Sequence, residues 1–141
     1  MITKSNVDLT REAYAAVATN EEQDNAAGEP AGSLFALFAD DVEVHHGGNG
    51  PFAGTHHGRA DIQATMARAF ALSNGTFREF EPHVVAGDEK IVYTAARATA
   101  RRPDGRELDM IVGAVFRFED HRIVEVWQHL EDQAAWDEFW T

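Results

Sequence analysis

The sequence of 141 residues contains no cysteine. Disulfide bonds, thiolate nucleophiles and thiolate-bound metal ions are therefore excluded from its chemistry. Basic residues are also scarce, because 12 lysine and arginine residues stand against 24 aspartate and glutamate residues, for a formal net charge of -12. This charge would repel a phosphate backbone or an anionic bilayer surface, so we expect neither nucleic acid nor a membrane as a partner.

Long apolar runs are missing as well. The N-terminal stretch MITKSNVDLTREAY has neither the apolar centre of a signal peptide nor the length of a membrane span, and it predicts a soluble, cytoplasmic protein. What the chain does have is a globular composition, with 44% hydrophobic and 10% aromatic residues. No repeat or linker divides it, so residues 1–141 are predicted to form a single domain.

The first half of the chain has mainly helical patterns. Ser5 and Asp8 have the spacing of a helix cap, and SLFALFADD predicts a short helix after a polar loop over residues 20–32. The stretch from Val42 to His46 alternates like a strand. GRADIQATMARAFAL has apolar residues three and four apart, which predicts the clearest helix of the chain.

From residue 76 onward the pattern becomes that of β-strands. Long runs such as EKIVYTAARATARR and RELDMIVGAVFRFED are separated by short turns, including PDG, and the tail QAAWDEFW predicts a last short helix. Helices followed by hairpin-joined strands predict an α+β fold with an antiparallel sheet. Helices laid across a curved sheet enclose an apolar cone, which is a natural pocket for a small molecule.

Four phrases, LFADDVEVH, GTHHGRADI, VFRFEDHRIVEVW and EDQAAWDEF, resemble the nuclear transport factor 2-like superfamily along nearly the whole chain. The SnoaL-like and ketosteroid isomerase-like branch is the most similar. This resemblance implies a cone-shaped curved antiparallel sheet with N-terminal helices packed over it, and a homodimer formed through the outer sheet face. It leaves the reaction open, because one fold hosts many chemistries.

Ketosteroid isomerases place a helix-1 tyrosine and a protonated aspartic acid around the substrate oxygen, while a second aspartate moves the proton. The resemblance puts the tyrosine at Tyr14, the proton-moving aspartate at His46 and the protonated aspartic acid at Ala114. It therefore implies His46 as the general base and Tyr14 as a hydrogen-bond donor to the substrate oxygen. A recurrent family aspartate falls on Asp132, which we expect to cap the last helix.

Two histidine doublets flank a glycine-rich run in VEVHHGGNGPFAGTHHGRAD. Adjacent residues of a strand point to opposite faces, so His45 and His46 cannot both enter one pocket. We interpret His45, His56 and His57 as surface or loop residues. The glycines are expected to let the loop turn tightly at the mouth of the pocket.

On the last strand, Trp127 and His129 share one face and Gln128 lies on the other. We predict that Trp127 and His129 face the pocket, where His129 would act as an acid or orient the substrate. The remaining pocket wall is predicted to be apolar and to consist of Phe38, Phe52, Phe70, Met110, Ala114 and Phe116.

These residues predict an enzyme that binds a small apolar or weakly polar organic molecule and catalyses isomerisation, cyclisation or dehydration by proton transfer. No cofactor and no metal is expected. Two alternatives stay open. The first is a non-catalytic binding module for a small apolar ligand. The second is a metal-dependent hydrolase, with ligands drawn from His46, His57, His129 and Asp109.

Overall fold

The computed structural model describes residues 4–15, 32–80 and 82–141. The first helix, α1, is described over residues 6–15. The later elements are α2 (Gly32–Leu37), β1 (Phe38–His46), β2 (Gly54–His57), α3 (Gly58–Leu72), β3 (Arg78–Glu79), β4 (Val84–Gly87), β5 (Ile91–Arg101), β6 (Glu107–Glu119), β7 (Arg122–Leu130) and α4 (Gln133–Trp140). The predicted loop over residues 20–32 falls almost entirely outside the described residues.

The strands form one mixed sheet in the order β2-β1-β7-β6-β5-β3, and β4 also pairs with β5. Its longest pairing joins β5 and β6 from Ile91↔Arg117 to Arg101↔Glu107, closed by the predicted PDG turn. The α+β class with a curved sheet under N-terminal helices is confirmed. One pair, β1 with β7, is parallel. Side-chain alternation is the same in parallel and antiparallel strands, so the sequence pattern did not indicate this direction.

Local capping signals explain where two helices begin. The Ser5 hydroxyl accepts a hydrogen bond from the Asp8 backbone N–H at 3.1 Å, and the Asp132 carboxylate accepts one from Ala135 at 3.0 Å. Such caps satisfy backbone donors that have no partner inside the helix. Helix α2 ends earlier than expected, because the chain turns into β1 at Phe38.

The inner face of the sheet supports the core. Even-numbered residues of β5 and β6 point inward and are mostly buried, while their odd-numbered neighbours point outward. On β5 the inward residues Ala96, Ala98 and Ala100 are small, which leaves space above the sheet. The buried apolar residues form two clusters, and Met66 of α3 packs against both of them.

The glycine-rich run after β1 packs against α4. Gly48 has a φ of +82°, in the left-handed region that favours glycine, and a Cβ there would collide with the side chains of Gln133 and Asp137. The Asn49 backbone N–H donates to the Asp137 carboxylate at 2.9 Å. No helix in the described part of the chain is long and apolar enough to cross a bilayer.

Candidate functional site

A cavity of about 200 Å³ lies between the inner face of the sheet and the helices. Its walls are largely apolar. The aromatic part of the lining consists of Tyr14, Phe38, Phe52, Phe70, Phe77, Phe116, Trp136 and Trp140. The polar or charged part consists of Tyr14, His46, Thr65, Arg78, Glu79 and Gln128. A largely apolar cavity with a few polar groups is the usual form of a small-molecule site.

Sheet register arranges part of the lining in one row across the floor. Gln128 of β7 pairs with Ala114 of β6, and Ala114 pairs with Thr94 of β5. His46 continues the row on β1, one residue beyond the paired His45 and Trp127. Neighbouring strands are about 4.8 Å apart, so the row spans roughly 14 Å from His46 to Thr94. The small Ala114 keeps its middle open.

Tyr14 reaches the far end of this row from α1. Its side chain is buried, and its hydroxyl lies 3.1 Å from the Thr94 hydroxyl. Burial raises the pKa of Tyr14 above its usual value, and the negative charge of Glu79 raises it further. The phenol therefore stays protonated and can donate a hydrogen bond at neutral pH.

His46 stands at the opposite end of the row. Burial, followed by the charges of His56 and His45, lowers the pKa of His46 to about 4. Its Nδ1 atom is buried and has no hydrogen-bond partner among the described residues. The imidazole is therefore neutral at pH 7, which is the form that can accept a proton.

His56 is held beside His46 rather than at the surface. Its Nε2 atom lies 2.9 Å from the Phe52 carbonyl oxygen, which can only accept, so Nε2 carries the proton. The His56 side chain is only 17% exposed. His56 also lies within strand β2, so the interpretation of His56 as a surface or loop residue is wrong, whereas His57 is exposed as expected.

Glu79 is a cavity residue that the sequence did not reveal. It pairs with Ala98, a fully buried residue of the inner face, and cross-strand partners share a face. Burial raises the pKa of Glu79 to about 7. An acid within the charged stretch REFE resembles an ordinary surface residue, so only the long-range pairing with β5 reveals its position.

Most of the predicted pocket residues do meet in the cavity. Its lining includes Tyr14, Phe38, His46, Phe52, Phe70, Ala114 and Phe116. Met110 is the apolar exception. It points inward from β6 but is buried in the core cluster that contains Trp136 and Phe139, and it does not line the cavity.

The prediction for the last strand is wrong by one residue. Trp127 lies on the outer face and stacks on His45, with ring centroids 5.6 Å apart, and His129 is exposed. Gln128 lines the cavity instead. The register between β6 and β7 shifts between Arg117 and Phe118, which is a β-bulge, and bulges interrupt simple alternation along a strand.

The residues considered as ligands of a metal-dependent hydrolase do not converge. His46 lines the cavity and His129 is exposed, while Asp109 forms a two-bond ion pair with Arg97. In the described ranges, the group with ligand-like spacing is Glu43, His45 and Glu125.

That group lies on the outer face, and its central carboxylate already has partners. His45 Nε2 lies 2.6 Å from Glu125 Oε2, and the Arg117 guanidinium donates to Glu125 Oε1 at 3.1 Å. We therefore interpret the group as an ion-pair network.

Comparison with known proteins agrees with this architecture. The fold is that of the nuclear transport factor 2-like superfamily. An NTF2-like protein from Anabaena variabilis ATCC 29413 superposes on this chain with a TM-score of 0.71 at 11% identity, and the superposition covers 94% of this chain and 95% of that one. Residues 11–126 match the SnoaL-like domain model, and the chain belongs to this family. No curated protein sequence matches significantly.

Two further solved structures are similar over nearly the full length. Bal32a, from a soil-derived mobile gene cassette, is 31% identical, with a TM-score of 0.79 and 96% of each chain covered. TerC, co-crystallised with polyporic acid, is 18% identical, with a TM-score of 0.73 and coverage of 95% of this chain and 96% of TerC. Family and cavity together define a small-molecule binding or catalytic domain.

Proposed function

We propose that the protein is an enzyme that moves protons on a small, neutral organic molecule without a cofactor, in an isomerisation, cyclisation or dehydration. The observation that carries this proposal is the state of His46. Its imidazole is held neutral in an apolar cavity, its Nδ1 atom lacks a hydrogen-bond partner among the described residues, and a protonated phenol, Tyr14, lines the same cavity. Enolisation requires a base that removes the carbon-bound proton and a hydrogen-bond donor that stabilises the negative charge developing on the oxygen.

Cavity size limits the substrate. An apolar protein cavity of about 150 Å³ accommodates benzene. The present cavity of about 200 Å³ therefore suits a molecule with one ring or two fused rings. The apolar wall favours a carbon skeleton, and the few polar groups favour one or two oxygen substituents. The co-crystallisation of TerC with polyporic acid supports an organic ligand for this fold.

In the proposed reaction, the His46 imidazole removes a proton from a carbon next to the substrate carbonyl. The electrons of the broken C–H bond form a C=C bond, and those of the carbonyl π bond move to oxygen, where Tyr14 donates a hydrogen bond. Return of the proton from the imidazolium to a different carbon completes an isomerisation and restores His46. Gln128, the neighbour of His46 on the floor, is placed to orient the substrate.

The proposal is tested by exchange of carbon-bound protons with solvent. Wild-type protein is incubated in D₂O with 2-cyclohexen-1-one, which has one ring, or with 1-tetralone, which has two, and deuteration is followed by NMR. A positioned general base contributes about 10²- to 10⁴-fold, so His46→Gln should slow exchange by that factor.

The matched control is His129→Gln, the same substitution at an exposed histidine outside the cavity. It should exchange protons like the wild type. Undiminished exchange in His46→Gln, with both variants folded, contradicts the assignment of His46 as the base.

A non-catalytic binding module is the second candidate. It is favoured by Ala114, which puts a methyl group at the position where the resemblance to ketosteroid isomerases places an acid. Such a module would bind 1-tetralone saturably, and the wild type would not accelerate its deuteration. The exchange experiment therefore separates the two candidates.

The proposal includes a homodimer formed through the outer sheet face. Tyr93, Val115 and Trp127 pair in one outward row, and Tyr93 is 55% exposed. Sedimentation equilibrium should give twice the chain mass of 15.6 kDa. Tyr93→Lys should weaken this association and Tyr93→Phe should preserve it. A wild type that stays monomeric at high concentration contradicts the dimer.

A further inference from the structure

We propose that Glu79 is a ligand-contacting carboxylic acid, which donates a hydrogen bond to an oxygen atom of the bound molecule and, during turnover, transfers a proton to it. The ligand is then a neutral molecule with a carbonyl or hydroxyl oxygen at this end of the cavity. The turnover step rests on the proposed function, whereas the binding step does not depend on it.

The position of Glu79 is set by the sheet. β3 forms the edge next to β5, and the pairing of Glu79 with the buried Ala98 points the carboxyl group to the inner face. The side chain lines the cavity, and its remaining accessible surface is available to a ligand there. His46 enters the same cavity from β1, three strand positions before β5 in the sheet order. A ligand between them can meet both groups.

The partly buried Glu79 side chain has no hydrogen-bond or ion-pair partner among the described residues. Unpaired buried carboxyl groups are rare because a carboxylate loses its hydration without compensation. In this setting the neutral acid is the favoured form, and the pKa of Glu79 is accordingly raised to about 7 by burial.

A protonated carboxyl group has one O–H donor, which is what an oxygen acceptor on the ligand requires. Tyr14 lies within electrostatic reach, since the charge of Glu79 raises the pKa of the phenol. The other titratable or charged side chains that line the cavity, within the described residues, are His46 and Arg78. The Arg78 guanidinium donates to the Thr76 carbonyl oxygen and is therefore already engaged within the protein. Two oxygen-bound protons at one end and a neutral base elsewhere then favour an uncharged ligand with its oxygen near Glu79.

Proton transfer through this pair balances without a further reactant. As His46 removes a carbon-bound proton, the carbonyl oxygen gains electron density and takes the Glu79 proton, which gives an enol, an imidazolium and a carboxylate. In the second step the carboxylate recovers the proton from the enol oxygen while the imidazolium returns its proton to carbon. Both side chains end in their starting forms.

The test compares 1-tetralone with tetralin, which has the same fused rings without the oxygen. Binding is followed by fluorescence of Trp136 and Trp140, which line the cavity. Preference is measured as the Kd of tetralin divided by the Kd of 1-tetralone. At pH 5.5 this ratio should be about threefold to tenfold larger in the wild type than in Glu79→Leu, because the variant loses one hydrogen bond to the ligand. At pH 8.5 the wild-type preference should fall, because the acid has lost its proton.

Glu79→Gln is the matched variant, since its amide still donates a hydrogen bond but cannot ionise. It should keep the preference for 1-tetralone at both pH values. A Glu79→Leu protein with the wild-type preference overturns the proposal, as does equal pH dependence in the wild type and Glu79→Gln. A wild type that binds neither probe overturns it too, because the cavity would then not admit a neutral two-ring ligand.

Deuterium exchange separates this inference from the proposed function. Exchange that occurs in the wild type, depends on His46 and is undiminished in Glu79→Gln overturns proton donation by Glu79. Absence of exchange in the wild type contradicts the proposed function, while the binding comparison still decides whether Glu79 contacts the ligand.

Discussion

The ring centroids of His46 and His56 lie 5.1 Å apart, with an angle of 64° between the ring planes. His56 is fixed in this position by the hydrogen bond to the Phe52 carbonyl group. A positive charge on either ring disfavours a positive charge on the other, which reinforces the effect of burial on His46. His56, from the second histidine doublet, thus contributes to the site by lowering the pKa of His46, from the first doublet.

Replacing His56 by phenylalanine should raise the pKa of His46 above about 4, because the neighbouring charge is removed. The pKa should remain below the ordinary 6.5, since burial is the largest cause of the shift. NMR titration of the His46 ring measures this value. His57→Phe, at an exposed histidine, serves as the control, and an unchanged His46 pKa in His56→Phe would show that the two rings do not interact.

Substituting His46 by leucine should make the fold more resistant to acid. The unfolded chain binds a proton at His46 as the pH falls below 6.5, whereas the folded chain resists protonation down to about 4. Stability is therefore lost between these values, by on the order of 3 kcal/mol in total. Urea unfolding of both proteins from pH 4 to 7 should show that the stability of His46→Leu relative to wild type increases as the pH falls from 6.5 to 4; a constant difference would refute the shifted pKa.

Glu79→Gln should have the opposite effect, with a gain in stability that grows with pH. The unfolded chain releases the Glu79 proton near 4.5 and the folded chain near 7, so the wild type loses stability as the pH rises between these values. The total is on the order of 3 kcal/mol. The free energy of unfolding should therefore differ more between Glu79→Gln and wild type at pH 8 than at pH 4.5. A constant difference would indicate that Glu79 ionises normally.

These two effects offset each other in the wild type between about pH 4.5 and 6.5, because His46 and Glu79 contribute slopes of opposite sign there. A flat wild-type profile in that range is thus compatible with two strongly shifted groups. The pH dependence contributed by each group is measured by comparing its single variant, His46→Leu or Glu79→Gln, with the wild type.

Local signals in the sequence were sufficient for the elements that frame the cavity. α3 and α4 coincide with the stretches GRADIQATMARAFAL and QAAWDEFW, and the predicted cap at Asp132 forms. Helix periodicity and caps depend on residues three or four apart, so a single sequence carries them. The strand alternation around His46 is local in the same sense, and it separates His45 from His46 as expected.

The remaining parts of the site depend on contacts between distant segments. A bulge in the β6–β7 pairing decided between Gln128 and His129, and bulges form in the pairing of two strands rather than in one of them. Glu79 points inward because its short strand pairs with β5 about twenty residues later in the chain. Met110 points to the inner face as predicted, but it is buried in a core cluster with residues from α3, α4 and other strands, and such packing cannot be predicted from one strand.

The hydroxyl pair of Tyr14 and Thr94 provides a test of how rigidly the end of the cavity is held. Both groups are buried and 3.1 Å apart, so removal of either leaves the other without this partner. Tyr14→Phe and Thr94→Val should each destabilise the fold by about 1 to 3 kcal/mol, since a buried polar group without a partner retains its desolvation penalty.

The double variant should cost less than the sum of the two, because it leaves no unpaired hydroxyl at this place. Chemical denaturation of all four proteins at one pH, between 5 and 6, gives the coupling energy. Additive losses would show that the two hydroxyl groups act independently. In that case Tyr14 would be held by the packing of α1 alone, and its hydroxyl would be free to turn toward the ligand.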